Sequence, residues 1–169
     1  HEYISSYSPF DLTPKQTRRL FDEKNWEKIV GFHTRNVPHK AHEYIQKEAI
    51  KRHNCDGIFL HPVVGEKRSG DYNSQYIIDS YNLIKNKVFD DNKSVFSVFS
   101  TYSRYGGIRE AIFTALCRKN YGCSHFIMGR DHTGVGNTKK NNVKDILNSL
   151  PDLGIKIIHF NKVYYNGNS

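Results

Sequence analysis

This chain of 169 residues lacks the sequence features of disulfide-rich, membrane-spanning and secreted proteins. The three cysteines are an odd number without CxxC spacing, which predicts free thiols in a reducing compartment rather than a disulfide framework. Apolar runs are short, as in residues 29–32, and fall far below the roughly 20 residues that cross a bilayer, so we expect no membrane partner. A basic segment followed by an apolar one is also missing at the start, which favours a cytoplasmic protein over a secreted one.

The positive charge of the chain is strong but dispersed. The net charge is +8, and the basic residues are spread along the sequence rather than gathered in one arm. Such a surface favours an anionic partner, either nucleic acid or a small polyanion such as a nucleotide. Because zinc-finger spacing and the aromatic ribonucleoprotein motif are both missing, we predict a small anion and no nucleic acid.

The hydrophobic pattern predicts an α/β fold. Hydrophobic residues make up 37% of the chain, enough for one compact domain with a real core. Residues 1–28 form a lead-in with a helix over residues 15–24, begun by Thr13-Pro14, and strands and helices then alternate through residues 29–169. The predicted strands are residues 29–32, 56–63, 94–100, 124–128 and 154–160. The predicted helices are residues 39–52, 76–86, 107–120 and 142–150.

This alternation is typical of a mainly parallel sheet of about five strands with helices on both faces. Ligands of such sheets bind at the carboxyl ends of the strands. The loops after Phe32, Leu60 and Met128 should therefore converge if the chain has one active site. The helix over residues 107–120 should pack through one apolar side, formed by Ile108, Ile112, Ala115 and Leu116.

Residues 33–42 carry the densest chemistry of the chain. They hold three histidines, an arginine and a lysine, and they lead into a helix. A helix start favours anions through its free N–H groups and its dipole. His39 and His42 are three residues apart, so both project from one side of the first turn and can reach the same phosphate. Arg35 can hold an oxyanion through two parallel hydrogen bonds.

Two other interpretations of this segment stay open. The HxxH spacing also suits a zinc ion, with Glu43 or His61 as a third protein ligand. Alternatively, these residues only begin a helix at a solvated surface. We favour anion binding because so many basic and hydrogen-bonding groups at one helix start exceed what capping requires.

Two further loops suit phosphate groups. Residues 61–71 combine two glycines with the adjacent cations Lys67 and Arg68, although a solvated charged turn would look similar. Residues 129–136 are dense in glycine, which allows backbone N–H groups to approach a ligand closely. This second loop is not a Walker A loop, because no Lys-Ser or Lys-Thr pair follows the glycines.

Several ordered motifs between about Leu12 and Tyr165 resemble those of ATP sulfurylases. The matching segments are Thr34-Arg35-Asn36 with His39 and His42, and residues 61–65, 107–111, 118–127 and 129–132. The resemblance implies a HUP-type, Rossmann-like nucleotidylyltransferase domain without the N-terminal PUA-like domain usual in that family. It implies an enzyme that transfers an adenylyl group from MgATP to sulfate, giving adenylyl sulfate and pyrophosphate. It further implies a homo-oligomer, with Mg²⁺ carried on the ATP phosphates rather than in a protein cage.

The resemblance also assigns roles to individual residues. The implied catalytic set, whose histidines hold the ATP phosphates and stabilise charge as pyrophosphate leaves, is Thr34, Arg35, Asn36, His39 and His42. The implied ATP-binding set adds to these five residues His33, His61, Gly129, Arg130, Asp131, His132 and Val163, the last through its backbone at adenine. The implied sulfate-binding set is His33, Arg35 and Thr133. No residue is assigned as a metal ligand.

The sequence departs from the family where the acceptor would bind. His33 stands where the family usually has a glutamine that donates to sulfate, and Thr133 stands where it usually has alanine. Sulfate only accepts hydrogen bonds, so its pocket must offer donors, and an imidazole offers one when neutral and two when charged. Two alternatives therefore stand beside sulfate transfer. They are transfer to a different oxyanion or phosphorylated acceptor, and a catalytically inactive nucleotide-binding module.

Overall fold

The computed structural model describes residues 9–90, 92–129, 146 and 149–160. Their five strands form one parallel sheet, as predicted: β1 (Ile29–Phe32), β2 (Gly57–Leu60), β3 (Ser94–Phe96), β4 (His125–Met128) and β5 (Lys156–His159). The helices in the described part are α1 (Pro14–Glu23), α2 (Lys40–His53), α3 (Ser74–Val88) and α4 (Ile108–Asn120). The α/β, Rossmann-like fold expected from the sequence is confirmed. None of these helices combines the length and apolarity needed to cross a bilayer.

The bounds of several elements differ from the predicted ones. Strands β2 and β3 end before the predicted segments do, because the chain beyond them leaves the sheet. The two continuations still run side by side, joined by a bridge between Val63 and Phe99 and by a 2.9 Å hydrogen bond from Gly65 N to Thr101 O. The predicted helix over residues 142–150 lies mostly outside the described residues.

The segment before β1 packs onto the sheet. Helix α1 begins with a capping box in which Thr13 and Gln16 each accept a hydrogen bond from the other's backbone N–H. Its residue Phe21 stacks on Trp26 with ring centroids 5.7 Å apart, and both rings are buried. The Trp26 ring lies so close to Gly57 that a Cβ at that position would overlap it. Strand β2 therefore needs glycine at its first residue.

The buried side of α4 is only partly the predicted one. Its buried residues are Glu110, Ala111, Thr114, Ala115 and Arg118. Of the predicted side, Ala115 belongs to this set and Ile108 packs against the core while partly buried. The prediction was incomplete because it considered only apolar residues. Glu110 and Arg118 are instead buried through hydrogen bonds to backbone groups of neighbouring loops.

The order of the strands locates the ligand-binding edge. The sheet runs β3-β2-β1-β4-β5, so the direction of winding reverses between β1 and β4, where ligands of such sheets bind. Phe32 pairs with Leu60 on one side and with Ile127 on the other, so these strands end at the same edge. The loops after Phe32 and Leu60 converge, as predicted, through a 2.8 Å hydrogen bond from Val63 N to Thr34 O.

Candidate functional site

The residues after β1 form a tight turn against the chain that leaves β2. Thr34 is buried, and its Oγ1 accepts a hydrogen bond from Asn36 N at 3.1 Å. Its carbonyl oxygen accepts the hydrogen bond from Val63 N. Thr34 therefore shapes the turn from inside, while Arg35 and Asn36 stay partly exposed beside it.

His39 and His42 come together at the start of α2. His39 is the N-cap residue, and the two imidazole rings stack with centroids 3.7 Å apart and an interplanar angle of 25°. The His42 ring also packs edge-on against Phe32, the last residue of β1, at 5.1 Å. The predicted proximity of the two histidines is thereby confirmed, and the end of β1 holds the pair in place.

Partial desolvation favours the uncharged form of both imidazoles, although His39 is exposed and His42 is only partly buried. Desolvation, together with repulsion from His39, lowers the pKa of His42 to about 3. Desolvation also lowers the pKa of His39. At neutral pH each ring therefore carries one N–H donor and one acceptor nitrogen. An anion beside the rings would raise both pKa values, because it stabilises the protonated forms.

The N-terminus of α2 has no side-chain cap from its own N-cap residue. The His39 side chain makes no capping hydrogen bond. Glu43, in the first turn, is occupied by Lys40 at 3.4 Å and by Lys47 at 2.8 Å. The first N–H groups of a helix need acceptors from outside the helix, and the helix dipole favours anionic ones. Within the described part of the chain, backbone donors next to the two imidazoles are therefore left without a side-chain cap.

Arg35 links the loops that follow β1, β2 and β3. Its Nε lies 3.7 Å from Asp71 Oδ1, and its guanidinium carbon lies 4.9 Å from the centre of the Tyr105 ring. The Arg68 guanidinium lies over the same ring at 4.2 Å. Asp71 also accepts a hydrogen bond from Arg68 N at 3.0 Å. Two arginines are thus gathered at the carboxyl edge of the sheet around one ring and one carboxylate, which suits the binding of an anion.

Lys67 shows that the chain after β2 is more than a solvated charged turn. Its Nζ donates a 2.8 Å hydrogen bond to the carbonyl oxygen of Val63, and the side chain is partly buried. Desolvation lowers the pKa of Lys67, although the carboxylate of Asp71 opposes this shift. The ammonium group therefore fixes the turn on which Arg68 and Asp71 stand.

His61 lies in the core beneath this edge. Its side chain is fully buried, with Nε2 3.0 Å from Val98 O and the ring packed against Phe59 and Tyr121. Its backbone N–H donates to Phe32 O at 3.0 Å. Burial lowers the pKa of His61 well below its ordinary value, so the ring is neutral. A position in the ATP-binding set was predicted for His61, but in this structure its side chain presents no surface to a ligand.

A buried arginine supports the same region. Arg118 is fully buried, and its Nη2 donates a 2.8 Å hydrogen bond to the carbonyl oxygen of His61. The guanidinium also lies over the Phe99 ring at 4.4 Å. Burial lowers the pKa of Arg118 to about 10, so it stays charged at neutral pH. A Cβ at Gly31 would lie 2.9 Å from Arg118 Cγ, so glycine in β1 makes room for this side chain.

The alternative of a zinc site finds no third ligand in the described part of the chain. Glu43 is paired with two lysines, and His61 is enclosed in the core. No group of three His, Cys, Asp or Glu residues there is placed to hold a metal ion. Within the described residues, His39 and His42 therefore have no third metal ligand beside them.

The glycine-rich loop after β4 lies almost wholly outside the described residues. Gly129 is described, and a Cβ at this position would meet no atom within 4 Å among the described residues. It directly follows Met128, whose strand neighbours β1, so the loop leaves the sheet at the switch point. The other residues predicted beyond it are Arg130, Asp131, His132, Thr133 and Val163, and they too lie outside the described part.

Two residues of this edge had no predicted role. Tyr105 adopts the left-handed backbone conformation with φ of 56°, and its ring is shared by Arg35 and Arg68. Glu110 is buried and accepts hydrogen bonds from Arg104 N and Gly106 N, both at 2.8 Å. A glutamate three residues after a glycine at a helix start is a local signal for such a role. The Tyr105 contacts have no local signal, because the partners come from distant loops.

Comparison with known proteins identifies relatives of the chain. Residues 8–169 match the family model for ATP-sulfurylase. A sulfate adenylyltransferase of Ignicoccus hospitalis is 42% identical over 160 residues, which are 94% of this chain and 41% of that protein. A sulfate adenylyltransferase of Pyrococcus abyssi is 41% identical over 166 residues, which are 98% of this chain and 43% of that protein. Another, of Trichodesmium erythraeum, is 49% identical over 130 residues, which are 77% of this chain and 33% of that protein.

A solved structure shares the fold at low sequence identity. It is a hexameric APS kinase from Thiobacillus denitrificans, with a TM-score of 0.72 and 19% identity over 95% of this chain and 30% of that one. At that identity the likeness concerns the fold alone. The present chain spans about two fifths of the length of the Ignicoccus and Pyrococcus relatives. The family model and the sequence relatives agree over nearly the whole chain, which therefore belongs to the ATP-sulfurylase family.

Proposed function

We propose that this chain carries the active site of an enzyme that transfers an adenylyl group from MgATP to sulfate. The observation that carries the proposal is the stacked pair of His39 and His42 at the start of α2, with Arg35 in the preceding turn. Backbone N–H groups and imidazole donors thus lie together at this helix start, and the chain that enters it carries a guanidinium. Relatives named sulfate adenylyltransferase support the same reaction.

The donors act on the phosphates of ATP. His39, His42 and the start of α2 hold the two phosphates that will leave, and Arg35 orients the anion next to the α-phosphate. A sulfate oxygen attacks the α-phosphorus in line. The bond from that phosphorus to the bridging oxygen breaks, and pyrophosphate leaves. Negative charge grows on the leaving oxygens, so fixed donors lower the barrier, and sulfate needs no base to remove a proton.

Magnesium enters as part of the substrate MgATP. The described residues place no group of three metal-ligating side chains together. Mg²⁺ commonly keeps several waters and binds through substrate phosphates rather than through an all-protein cage. The donors at residues 33–42 are suited to phosphate oxygens that the ion leaves uncovered.

The remaining predicted site residues complete the proposal. Thr34 and Asn36 fix the turn that carries Arg35, and His33 contributes to both the ATP and the sulfate site. Beyond the described residues, the proposal keeps Arg130, Asp131 and His132 with Gly129 at the nucleotide, Thr133 at sulfate and Val163 at adenine. It also keeps residues 29–169 as the catalytic domain and residues 1–28 as its lead-in.

The setting of the enzyme is proposed as a cytoplasmic homo-oligomer. Cys55, Cys117 and Cys123 are free thiols, and burial raises the pKa of each. Protonated, enclosed thiols react slowly, which fits a compartment without disulfides. Light scattering of the purified chain, read over a range of concentrations, tests the assembly.

Pyrophosphate release from MgATP with a panel of anions tests the proposed reaction. We expect release with sulfate and little with phosphate, nitrate or a phosphorylated sugar. Pyrophosphate release with another anion but not with sulfate would show that the other anion is the acceptor. ATP binding without release for any anion would show a nucleotide-binding module instead of an enzyme.

A further inference from the structure

The Tyr105 ring is the contact that the Arg35 and Arg68 guanidinium groups share. Their guanidinium carbons lie 4.9 Å and 4.2 Å from the ring centre. A cation–π contact attracts the guanidinium as a positive charge and takes no hydrogen bond from its N–H donors to an acceptor atom. The ring can therefore hold Arg35 in place without occupying the donors that an oxyanion needs.

Asp71 holds Arg35 in a different way. The carboxylate lies 3.7 Å from Arg35 Nε, beyond the length of a good hydrogen bond, and it also accepts a hydrogen bond from Arg68 N. An anionic ligand would compete with Asp71 for the N–H groups of Arg35. It would compete less with the ring, because the cation–π contact involves no acceptor atom for those N–H groups.

The backbone around Tyr105 is held by a single buried carboxylate. Glu110 accepts hydrogen bonds from the N–H groups of Arg104 and Gly106, the residues on either side of Tyr105. Tyr105 itself has φ of 56°, a conformation that residues other than glycine rarely adopt. Two hydrogen bonds to a charged acceptor can maintain such a conformation, because bonds of this kind are about twice as strong as neutral ones.

We propose that Tyr105 is a positioning residue for Arg35, and that Glu110 fixes the loop that presents the Tyr105 ring. The inference rests on the proposed function, because it assigns Arg35 to the ATP site. Tyr105 and Glu110 act without touching the substrate. They hold the Arg35 guanidinium in its binding position before the anion arrives, so binding loses less free energy to the ordering of this side chain.

Binding of MgATP to three tyrosine variants tests the first part. Tyr105→Leu removes the ring and should weaken ATP binding about 3-fold to 30-fold, the range expected for losing a cation–π contact. Tyr105→Phe keeps the ring and should restore the affinity. Tyr102→Leu is the matched control, since Tyr102 is exposed and contacts the Arg104 guanidinium at 4.3 Å instead. Equal effects of Tyr105→Leu and Tyr102→Leu would overturn the proposal.

A double-mutant cycle with Arg35→Ala tests whether Tyr105 acts through Arg35. If it does, Tyr105→Leu should have little further effect on ATP affinity once Arg35 is gone. The same loss in both backgrounds would mean that the ring acts on its own and would overturn the positioning role. Glu110→Gln should reproduce part of the Tyr105→Leu loss, whereas Glu23→Gln, at an exposed residue of α1, should not.

Nitrogen NMR of the arginine side chains tests the contact without any ligand. The Arg35 Nε–H signal, assigned by its loss in Arg35→Ala, should shift in Tyr105→Leu and in Glu110→Gln but stay in place in Tyr102→Leu. An unmoved signal in Tyr105→Leu would refute the contact. If the unmutated chain fails to bind ATP, the proposed function fails, and the NMR result still decides whether Tyr105 positions Arg35.

Discussion

The imidazole rings of His39 and His42 stack at a centroid distance of 3.7 Å, and desolvation lowers the pKa of both. Stacking at this distance suits neutral rings, because two charged imidazoles would repel each other. The phosphates proposed to bind at the start of α2 would offset this repulsion. Under the proposed function, the binding of phosphate and the binding of protons are therefore coupled at this pair.

Binding of MgATP should be accompanied by proton uptake. The bound phosphates raise the pKa of His39 and of His42, which is about 3 in the free protein, toward the experimental pH. ATP affinity should consequently rise as the pH falls from 8 to 6, because the complex holds more protons than the free chain. Calorimetry in buffers of different ionisation enthalpy measures the uptake directly.

A His42→Asn variant is the control for this uptake. It should bind fewer protons with ATP than the unmutated chain does at pH 6. Heats that do not depend on the buffer in the unmutated chain would show that the histidines stay neutral in the complex.

Replacing Arg35 by alanine should remove turnover and leave the fold intact. Loss of one positioned donor to a developing negative charge typically slows an enzyme about 100-fold to 1000-fold. The Arg35 side chain is 32% exposed, and its ion pair with Asp71 is long, so stability should change little. Turnover and thermal unfolding of the same preparation measure the two effects.

Arg19→Ala supplies the comparison for Arg35→Ala, because Arg19 is an exposed arginine of α1 that pairs only with Glu23 among the described residues. It should match the unmutated chain in both measurements. Full activity of Arg35→Ala would place the reacting anion elsewhere.

A His61→Leu variant separates a core residue from a ligand-binding one. Leucine fills much of the space of the ring but removes the 3.0 Å hydrogen bond to the Val98 carbonyl oxygen, which keeps only a long one of 3.5 Å from Ser97 Oγ. This loss should lower the free energy of unfolding by about 1–3 kcal/mol. The folded variant should still bind ATP normally. Denaturant unfolding measures the stability of the variant, and titration with ATP measures its affinity. A loss of ATP affinity at unchanged stability would show that His61 binds ATP, as the sequence predicted.

The outcome for His61 illustrates what the sequence could reveal of this site. The neighbouring positions of His39 and His42 follow from their spacing at one helix start, and the strand alternation predicts the parallel sheet. His61 also follows a strand, but whether a residue points into the core depends on packing that no local pattern records. The contact between Tyr105 and Arg35 could not be predicted from a local pattern either. It forms because the loops that follow β1 and β3 lie at the same edge of the sheet. In α4, Glu110 is buried through hydrogen bonds from the loop just before the helix, and Arg118 is buried through a hydrogen bond to the distant carbonyl oxygen of His61. Only the first of these has a local signal in the sequence.

A His33→Gln variant tests whether His33, which replaces the usual glutamine of the family, lies at the sulfate site. Glutamine offers an amide that always carries N–H donors, so His33→Gln should raise turnover with sulfate. Steady-state kinetics with varied sulfate measure the effect, and an unchanged or lower rate would mean that His33 does not contact sulfate.

The fate of the α-phosphate of ATP tests the proposed reaction most directly. The chain is incubated with ATP labelled at that phosphate, with Mg²⁺ and with sulfate, and the labelled products are separated. Adenylyl transfer predicts that the label appears in adenylyl sulfate, with one pyrophosphate released for each, and that both products disappear in Arg35→Ala. Label that stays in ATP, or that appears as AMP without a sulfate ester, would contradict the account.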